Sequence, residues 1–207
     1  MDLAPLEKDG IEPAQPLQKK EKDFIMQPNY SVSLPHYSVG PEAYSLVGDI
    51  IRPYGTRVAV VGGETAMTKA NPSLLPALEA AGLTVTDVHV YGHDSTVANV
   101  EAIKARSGVR NADVILAVGG GSVSDCCKVI SAQAKLDEDI WELENTKHTF
   151  PTEFIPLGTI VTVFGTGSEM NNGAVITHEE KKIKGALWGA QADFAFLDPS
   201  YTLTVPM

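Results

Sequence analysis

Three consecutive glycines, Gly119-Gly120-Gly121, stand with Ser122 between an apolar run and a helical one, and they are the strongest chemical signal in the chain. Val114 to Val118 has the unbroken apolar content of a short buried strand, and a helix is expected from Ser122 to about Leu136. Glycine lets the backbone turn tightly and leaves its N–H groups uncovered. A strand, a bare turn and a new helix N-terminus make a site that favours an anion, usually a phosphate. One glycine normally suffices for a plain turn. Three of them at the carboxyl end of a parallel strand favour a ligand at a switch point of the sheet. Gly120, Gly121 and Ser122 are therefore read as a phosphate or dinucleotide corner. Ser122 with Asp125 three residues on also fits a capping box. Asp125 would repel a pyrophosphate unless it faces a sugar, a base or a substrate hydroxyl.

Other residues are read relative to that corner. Gly62-Gly63 closes an earlier strand at the place where dinucleotide folds often carry an acidic residue for the ribose 2′-hydroxyl. Gly63 leaves the space open and tolerates NADP, Glu64 next door restores a ribose contact, and so NAD and NADP both stay open. Phe164-Gly-Thr-Gly-Ser-Glu169 concentrates small hydroxyl residues between β-branched segments. It reads either as a polar hairpin or as a second wall of the pocket, with Thr162, Thr166 and Ser168 as neutral donors. Lys181, Lys182 and Lys184 most simply form a solvated face, with Lys184 the one chosen to approach a cofactor. His89 and His93 straddle a strand end, where a rise of ~3.3 Å per residue sets them too far apart for one ion. Cys126 and Cys127 are adjacent near a helix start and point apart, against a disulfide or a shared metal.

The elements that must position these residues follow a β-α-β-α-β-α rhythm. Helix is expected over Pro41–Ile51, strand over Arg57–Val61, and helix over Thr65–Gly82 with a break at Asn71-Pro72. Val85–Tyr91 alternates as a strand, Thr96–Gly108 reads as one helix, and the central strand and its helix follow. Such an order implies an α/β fold with a parallel sheet flanked by helices. Before it, residues 1–23 read as a mobile polar tail, and Phe24–Val39 as extended edge structure or a hairpin. The domain proper is taken as 24–207. After Leu136 the pattern loosens, with a loop-like Asp137–His148 holding one turn around Trp141, short strands at Glu153–Leu157 and Ala192–Leu197, and a charged turn at Glu179–Lys184.

The 207 residues suffice for one good core. A net charge of −10 argues against nucleic acid or an anionic membrane as a general partner. No apolar run approaches the ~20 residues of a membrane span, and the polar N-terminus lacks a secretory signal, so a cytoplasmic location is expected.

With Gly119-Gly-Gly-Ser-Val-Ser-Asp125-x-x-Lys128 and Gly165-Thr-Gly-Ser-Glu169 in this order, residues 28 to 207 resemble the iron-containing (group III) alcohol dehydrogenases. Ala174-Val-Ile-Thr177 and Leu197-Asp-Pro strengthen the match, and Ser168-Glu-Met-Asn-Asn-Gly173 is similar to the butanol-dehydrogenase-like branch. The resemblance implies a Rossmann-like NAD(P)-binding domain of the dehydroquinate synthase-like kind, joined in the family to a C-terminal helical domain. It implies that Gly120, Gly121 and Ser122 hold the pyrophosphate, with Asp125 near the nicotinamide end. Thr162 and Thr166 would line the adenosine side, Lys184 would approach the nicotinamide ribose, and Gly63 stands where NAD-specific members place aspartate. Val161 and Phe164 depart from the usual small or proline residues, and Asp94-Ser95-Thr96 stands where Asn-Pro-Thr is common. The implied activity is hydride transfer between NAD(P) and a small alcohol or aldehyde, with iron (or zinc) activating the alcohol oxygen. The family's metal ligands lie in the helical domain beyond Pro206. A truncated, catalytically silent chain is therefore expected, one that self-associates or forms a homo-oligomer through its bared face. The alternatives are a non-catalytic nucleotide-binding module, and a relative of the glycerol or polyol dehydrogenases or of dehydroquinate synthase.

Overall fold

The computed structural model describes residues 35–92 and 94–204. The expected tail over 1–23, the start of the edge segment and His93 lie outside the described residues. In chain order the elements are β1 (His36–Val39), α1 (Val47–Ile51), β2 (Arg57–Gly63), α2 (Glu64–Ala80), β3 (Thr84–Tyr91), α3 (Val97–Lys104) and α4 (Ser107–Arg110). Then come β4 (Val114–Gly119), α5 (Gly121–Gln133), α6 (Ile140–Asn145), β5 (Leu157–Val161), β6 (Gly173–His178), β7 (Ile183–Trp188) and β8 (Phe194–Leu197).

Six strands form one sheet in the order β1-β8-β5-β4-β2-β3, and every pairing in it is parallel. Among the described residues β1 stands at one end of the sheet, paired in parallel with β8. The sheet is buried on both faces because β4 is apolar along its whole length and its neighbours β2 and β5 are nearly so. Val58 and Val60 of β2 join Val114, Leu116 and Val118 of β4 on one side, under Met67, Leu74 and Leu78 of α2. Ala59 and Val61 join Ile115 and Ala117 on the other, under Val100, Ile103, Val129 and Ile130 of α3 and α5. Alternate residues of one strand thus serve two separate cores.

From β2 the chain runs outward to β3, then returns to β4 on the opposite side of β2 and continues to β5. The order reverses between β2 and β4, so their carboxyl ends splay apart and open a crevice. β2 ends in Gly62-Gly63 there and β4 in Gly119.

Several boundaries differ from the sequence expectation. α2 runs unbroken through Asn71-Pro72 and also holds Pro76. Both prolines are exposed, so the carbonyls they leave unpaired are on the solvent side, while Met67, Ala70, Leu74 and Leu78 are packed in the core. The helix expected over Thr96–Gly108 is two, α3 and α4, parted at Ala105-Arg106. The strand expected at Glu153–Leu157 begins only at Leu157, where pairing with Ile115 starts. The turn expected around Trp141 is α6, whose N-terminus is capped by Asp139, its Oδ1 accepting from Trp141 N at 2.6 Å. Buried Gln133 binds this connection by donating to Glu138 O and accepting from Ile140 N, at 2.7 and 2.6 Å.

The antiparallel pair β6–β7 lies outside the main sheet, and Ala174, Ile176 and Leu187 pack with α5 and α6. Glu144 of α6 reaches it. One carboxylate oxygen accepts from Trp188 N at 2.7 Å, and the other is buried without a partner. Burial pushes this carboxyl up from 4.5 to about 7. The folded chain therefore binds the proton more tightly than the unfolded chain. The stability this supplies is complete below about pH 4.5 and is lost as pH rises through 7. Glu144→Gln is expected to raise the melting temperature by a few degrees at pH 8.5 and to change it little at pH 4.5. Thermal unfolding at the two pH values checks this, and an equal shift at both would refute it.

Candidate functional site

Gly120 carries extended backbone (φ −87°, ψ −165°), after which α5 starts at once with Gly121 and Ser122 in its first turn. Among the described residues no side chain caps this N-terminus, so the expected capping box between Ser122 and Asp125 is not formed. The helix start therefore presents bare N–H groups and the positive end of its dipole to the crevice. The three glycines are needed for different reasons. A Cβ on Gly119 would come within 2.5 Å of Val123 Cγ2, and one on Gly121 within 2.8 Å of Thr166 Oγ1. A Cβ on Gly120 would meet nothing closer than Val163 Cβ at 3.8 Å and would stand in open space. Packing explains the outer two, whereas Gly120 keeps room for something other than the protein.

That room is a cleft of about 450 Å³. Gly63 from the end of β2, Gly120 to Ser122 from the corner, and Thr162 and Thr166 from the segment after β5 line it. Thr65, Ala66 and Lys69 of α2 and Tyr201 also line it, and sequence reasoning missed these four. Thr65 and Lys69 stand four apart, the one signal that could have placed them on the same helix face. Tyr201 could not be foreseen, because only the fold brings its hydroxyl to Tyr44 at 2.8 Å.

A second cleft of about 570 Å³ opens on the other flank of the same helix turn. Gly121, Ser122 and Thr166 line both clefts, while Asp125, Ser168 and Lys184 line only the second. Lys184 lies in β7 opposite Thr177, and neither Lys181 nor Lys182 joins it at the cleft. Residues 168–170 form a 3-10 turn and not a hairpin. The Ser168 hydroxyl donates to Asp125 Oδ1 at 2.6 Å, and Val175 N donates to Asp125 Oδ2 at 3.0 Å. Each oxygen of Asp125 is thus engaged by the wall of the second cleft. Ser168 is a donor, as its residue type suggests, but its partner is the protein itself.

Beneath Asp125 lies Lys128, with no exposed surface. Its Nζ donates to Asn171 Oδ1 at 3.1 Å and to Gly173 O at 2.9 Å, and it lies 3.5 Å from Asp125 Oδ1. Burial holds this ammonium below the ordinary lysine range, an effect that the charges of Asp125 and Glu169 oppose. Asn171 in turn accepts from Gly173 N at 3.1 Å and donates to Gly167 O at 3.1 Å. Ser95 joins from the α3 side, its hydroxyl donating to Val175 O at 2.7 Å. Asp94-Ser95-Thr96 thus braces β6, and Thr96 also caps α3 by accepting from Asn99 N at 3.1 Å.

The neighbouring thiols take no part in either cleft. Cys126 and Cys127 are both buried and free, and burial pushes the Cys126 thiol up to about 12 and raises that of Cys127. Among the described residues, no group of three His, Cys, Asp or Glu side chains could hold a metal ion, and no helix is long and apolar enough to cross a membrane.

A parallel six-stranded sheet with helices on both faces and a glycine corner at its switch point defines a Rossmann-like α/β domain, and comparison with known proteins gives the family. Residues 35–199 match the model of the iron-containing alcohol dehydrogenases, and the chain belongs to that family. It is 40% identical over 161 residues to a Bacillus subtilis protein named "Probable NADH-dependent butanol dehydrogenase 1", covering 75% of this chain and 41% of that one. It is 37% identical over 162 residues to the NADPH-dependent aldehyde reductase YqhD of Escherichia coli, covering 74% and 41%. The crystal structure of NADH-dependent butanol dehydrogenase A from Thermotoga maritima superposes with a TM-score of 0.74 at 25% identity, over 86% of this chain and 46% of that one. The chain therefore spans about two fifths of the length of these curated relatives.

Lys128 supports the site from below, and its removal leaves Asp125, Asn171 Oδ1 and Gly173 O short of a donor. Lys128→Met is expected to lower the unfolding free energy by about 2–4 kcal/mol. Denaturant unfolding measures it, and a stability equal to that of the parent would show that the buried cation supports nothing.

Proposed function

We propose that this chain is the NAD(P)-binding part of a metal-dependent alcohol dehydrogenase or aldehyde reductase, acting on a small alcohol or aldehyde. The observation that carries the reading is Gly120, a backbone position that the protein's own packing leaves free at an uncapped helix start. In this reading residues 24–207 form the nucleotide domain of a cytoplasmic protein. Gly120, Gly121 and Ser122 offer N–H groups to the pyrophosphate, and Gly63, Thr162 and Thr166 line the adenosine side. Asp125 and Lys184 line the nicotinamide side, where the Ser168 hydroxyl and Val175 amide hold the carboxylate in one orientation. The nicotinamide, when bound, gives or takes the hydride.

The names of the relatives support this choice of chemistry, since they include NADH- and NADPH-dependent enzymes of alcohols and aldehydes. The described residues do not fit the family's metal, lacking any suitable ligand group, and no step is assigned through an ion on this part of the protein.

Titration with NADH and NADPH, followed by nicotinamide fluorescence, tests the reading. Binding of at least one cofactor is expected. Gly120→Ala should weaken it ten-fold or more while leaving the melting temperature nearly unchanged, because the added methyl group has room in the protein but occupies the corner. A chain that binds neither cofactor would overturn the proposal. The exposed Val163, Phe164, Met170 and Leu203 further support self-association. Sedimentation velocity should show the weight-average mass rising with concentration, and a monomer across the whole range would count against it.

A further inference from the structure

Spontaneous chemistry at an asparagine depends on the residue that follows it. The next backbone nitrogen can attack the side-chain carbonyl carbon, and a Cβ on that next residue stands in the way. Glycine has no Cβ and lets the chain bend into the ring that forms. Of the chain's seven asparagines only Asn172 precedes a glycine, Gly173. Asn172 is exposed on a bend just before β6, and among the described residues its carboxamide has no hydrogen-bond partner.

The residues on either side of it give the position its weight. Asn171 Oδ1 and Gly173 O both accept from the buried Lys128 Nζ, at 3.1 and 2.9 Å. Asn171 Oδ1 also accepts from Gly173 N at 3.1 Å, and Asn172 O accepts from Gly189 N at 2.9 Å. The oxygens that hold one enclosed ammonium thus come from the two neighbours of an exposed Asn-Gly bond.

We propose that Asn172 is a site of spontaneous modification, whose conversion to an isoaspartyl linkage with Gly173 dismantles the cradle of Lys128. Gly173 N loses its proton to solvent base and bonds to Asn172 Cγ, and the side-chain nitrogen leaves as ammonia. Water then opens the succinimide. Cleavage between Gly173 N and Cγ gives aspartate. Cleavage between Gly173 N and the α-carbonyl carbon gives isoaspartate, with the α-carboxyl group left free. Water is the only co-reactant.

The two products act differently on the fold. Aspartate adds a charge at an exposed position and keeps the backbone, so its effect is small. Isoaspartate routes the backbone through Cβ and Cγ, which inserts a methylene before Gly173. It also turns the carbonyl that Gly189 binds into a free carboxylate. Asn171 Oδ1 and Gly173 O then no longer both reach Lys128 Nζ, and a buried ammonium short of an oxygen is costly. The inference holds whichever ligand the clefts take.

The test is incubation of the folded full chain in warm, mildly alkaline buffer, followed by peptide mass mapping and labelling with an isoaspartyl methyltransferase. Isoaspartate should accumulate at residue 172 on the order of ten-fold or more faster than at any other asparagine. The isoaspartyl fraction, isolated by chromatography, should melt about 5 °C below the fresh parent. Asn172→Ser should not convert and should melt like the fresh parent. Gly173→Ala keeps the asparagine and should slow the conversion, its Cβ meeting nothing closer than Asn171 Oδ1 at 3.6 Å. Asn172→Asp, measured fresh, should keep the parent's melting temperature, which separates the new charge from the lengthened backbone. Conversion at residue 172 no faster than elsewhere overturns the proposal, and so does an isoaspartyl fraction that melts with the parent.

Discussion

An ammonium group shut away from water is tolerable only when fixed oxygens surround it, and Lys128 imposes that requirement on everything near it. Asn171, Gly173 and Asp125 converge on its Nζ, which settles the rotation of α5 about its axis, the path of the turn before β6 and the setting of the Asp125 carboxylate. With α5 so rotated, its first turn opens onto the crevice between β2 and β4. The bare amides at the helix start and the engaged carboxylate one turn later are thus held by one buried charge. The extra pair β6–β7 is docked by the same contacts, since Val175 donates to the carboxylate that Lys128 faces.

The central elements were legible because their signals are local and agree. An apolar run closed by glycines can hardly be anything but a buried strand entering a turn, and the β-α rhythm leaves few alternatives to a parallel sheet. The errors share a different cause. Asn71-Pro72 looks like a break when only the chain around it is considered, yet Leu74 and Leu78 bury enough surface to carry α2 past two missing N–H donors. β5 was displaced because Gly158 is a weak strand former. Gly158 is there for the ring of Phe194, which a Cβ would meet at 2.0 Å, and that neighbour arrives only with β8.

In the site, the residues of the two motifs were legible as types, but their division between clefts was not. Thr162 faces only the first cleft, and Asp125 and Lys184 only the second, a split that depends on where β6–β7 folds back. Lys128 looked like part of a helix signature, and nothing in the sequence around it announced that it would be wholly enclosed. Glu64 had seemed as well placed as Gly63, because neighbours in sequence look equivalent until the helical rotation between them is known.

Gly121, Ser122 and Thr166 belong to both clefts, so the two hollows meet at a single short ridge. A molecule long enough to lie across it must straddle that ridge, with its two halves in contact with different parts of the chain. α2 and the strand end meet one half; β6, β7 and the loop before α3 meet the other. Mutational drift on either flank can retune the half it touches while the shared ridge, and with it the common grip on the middle of the molecule, stays as it was.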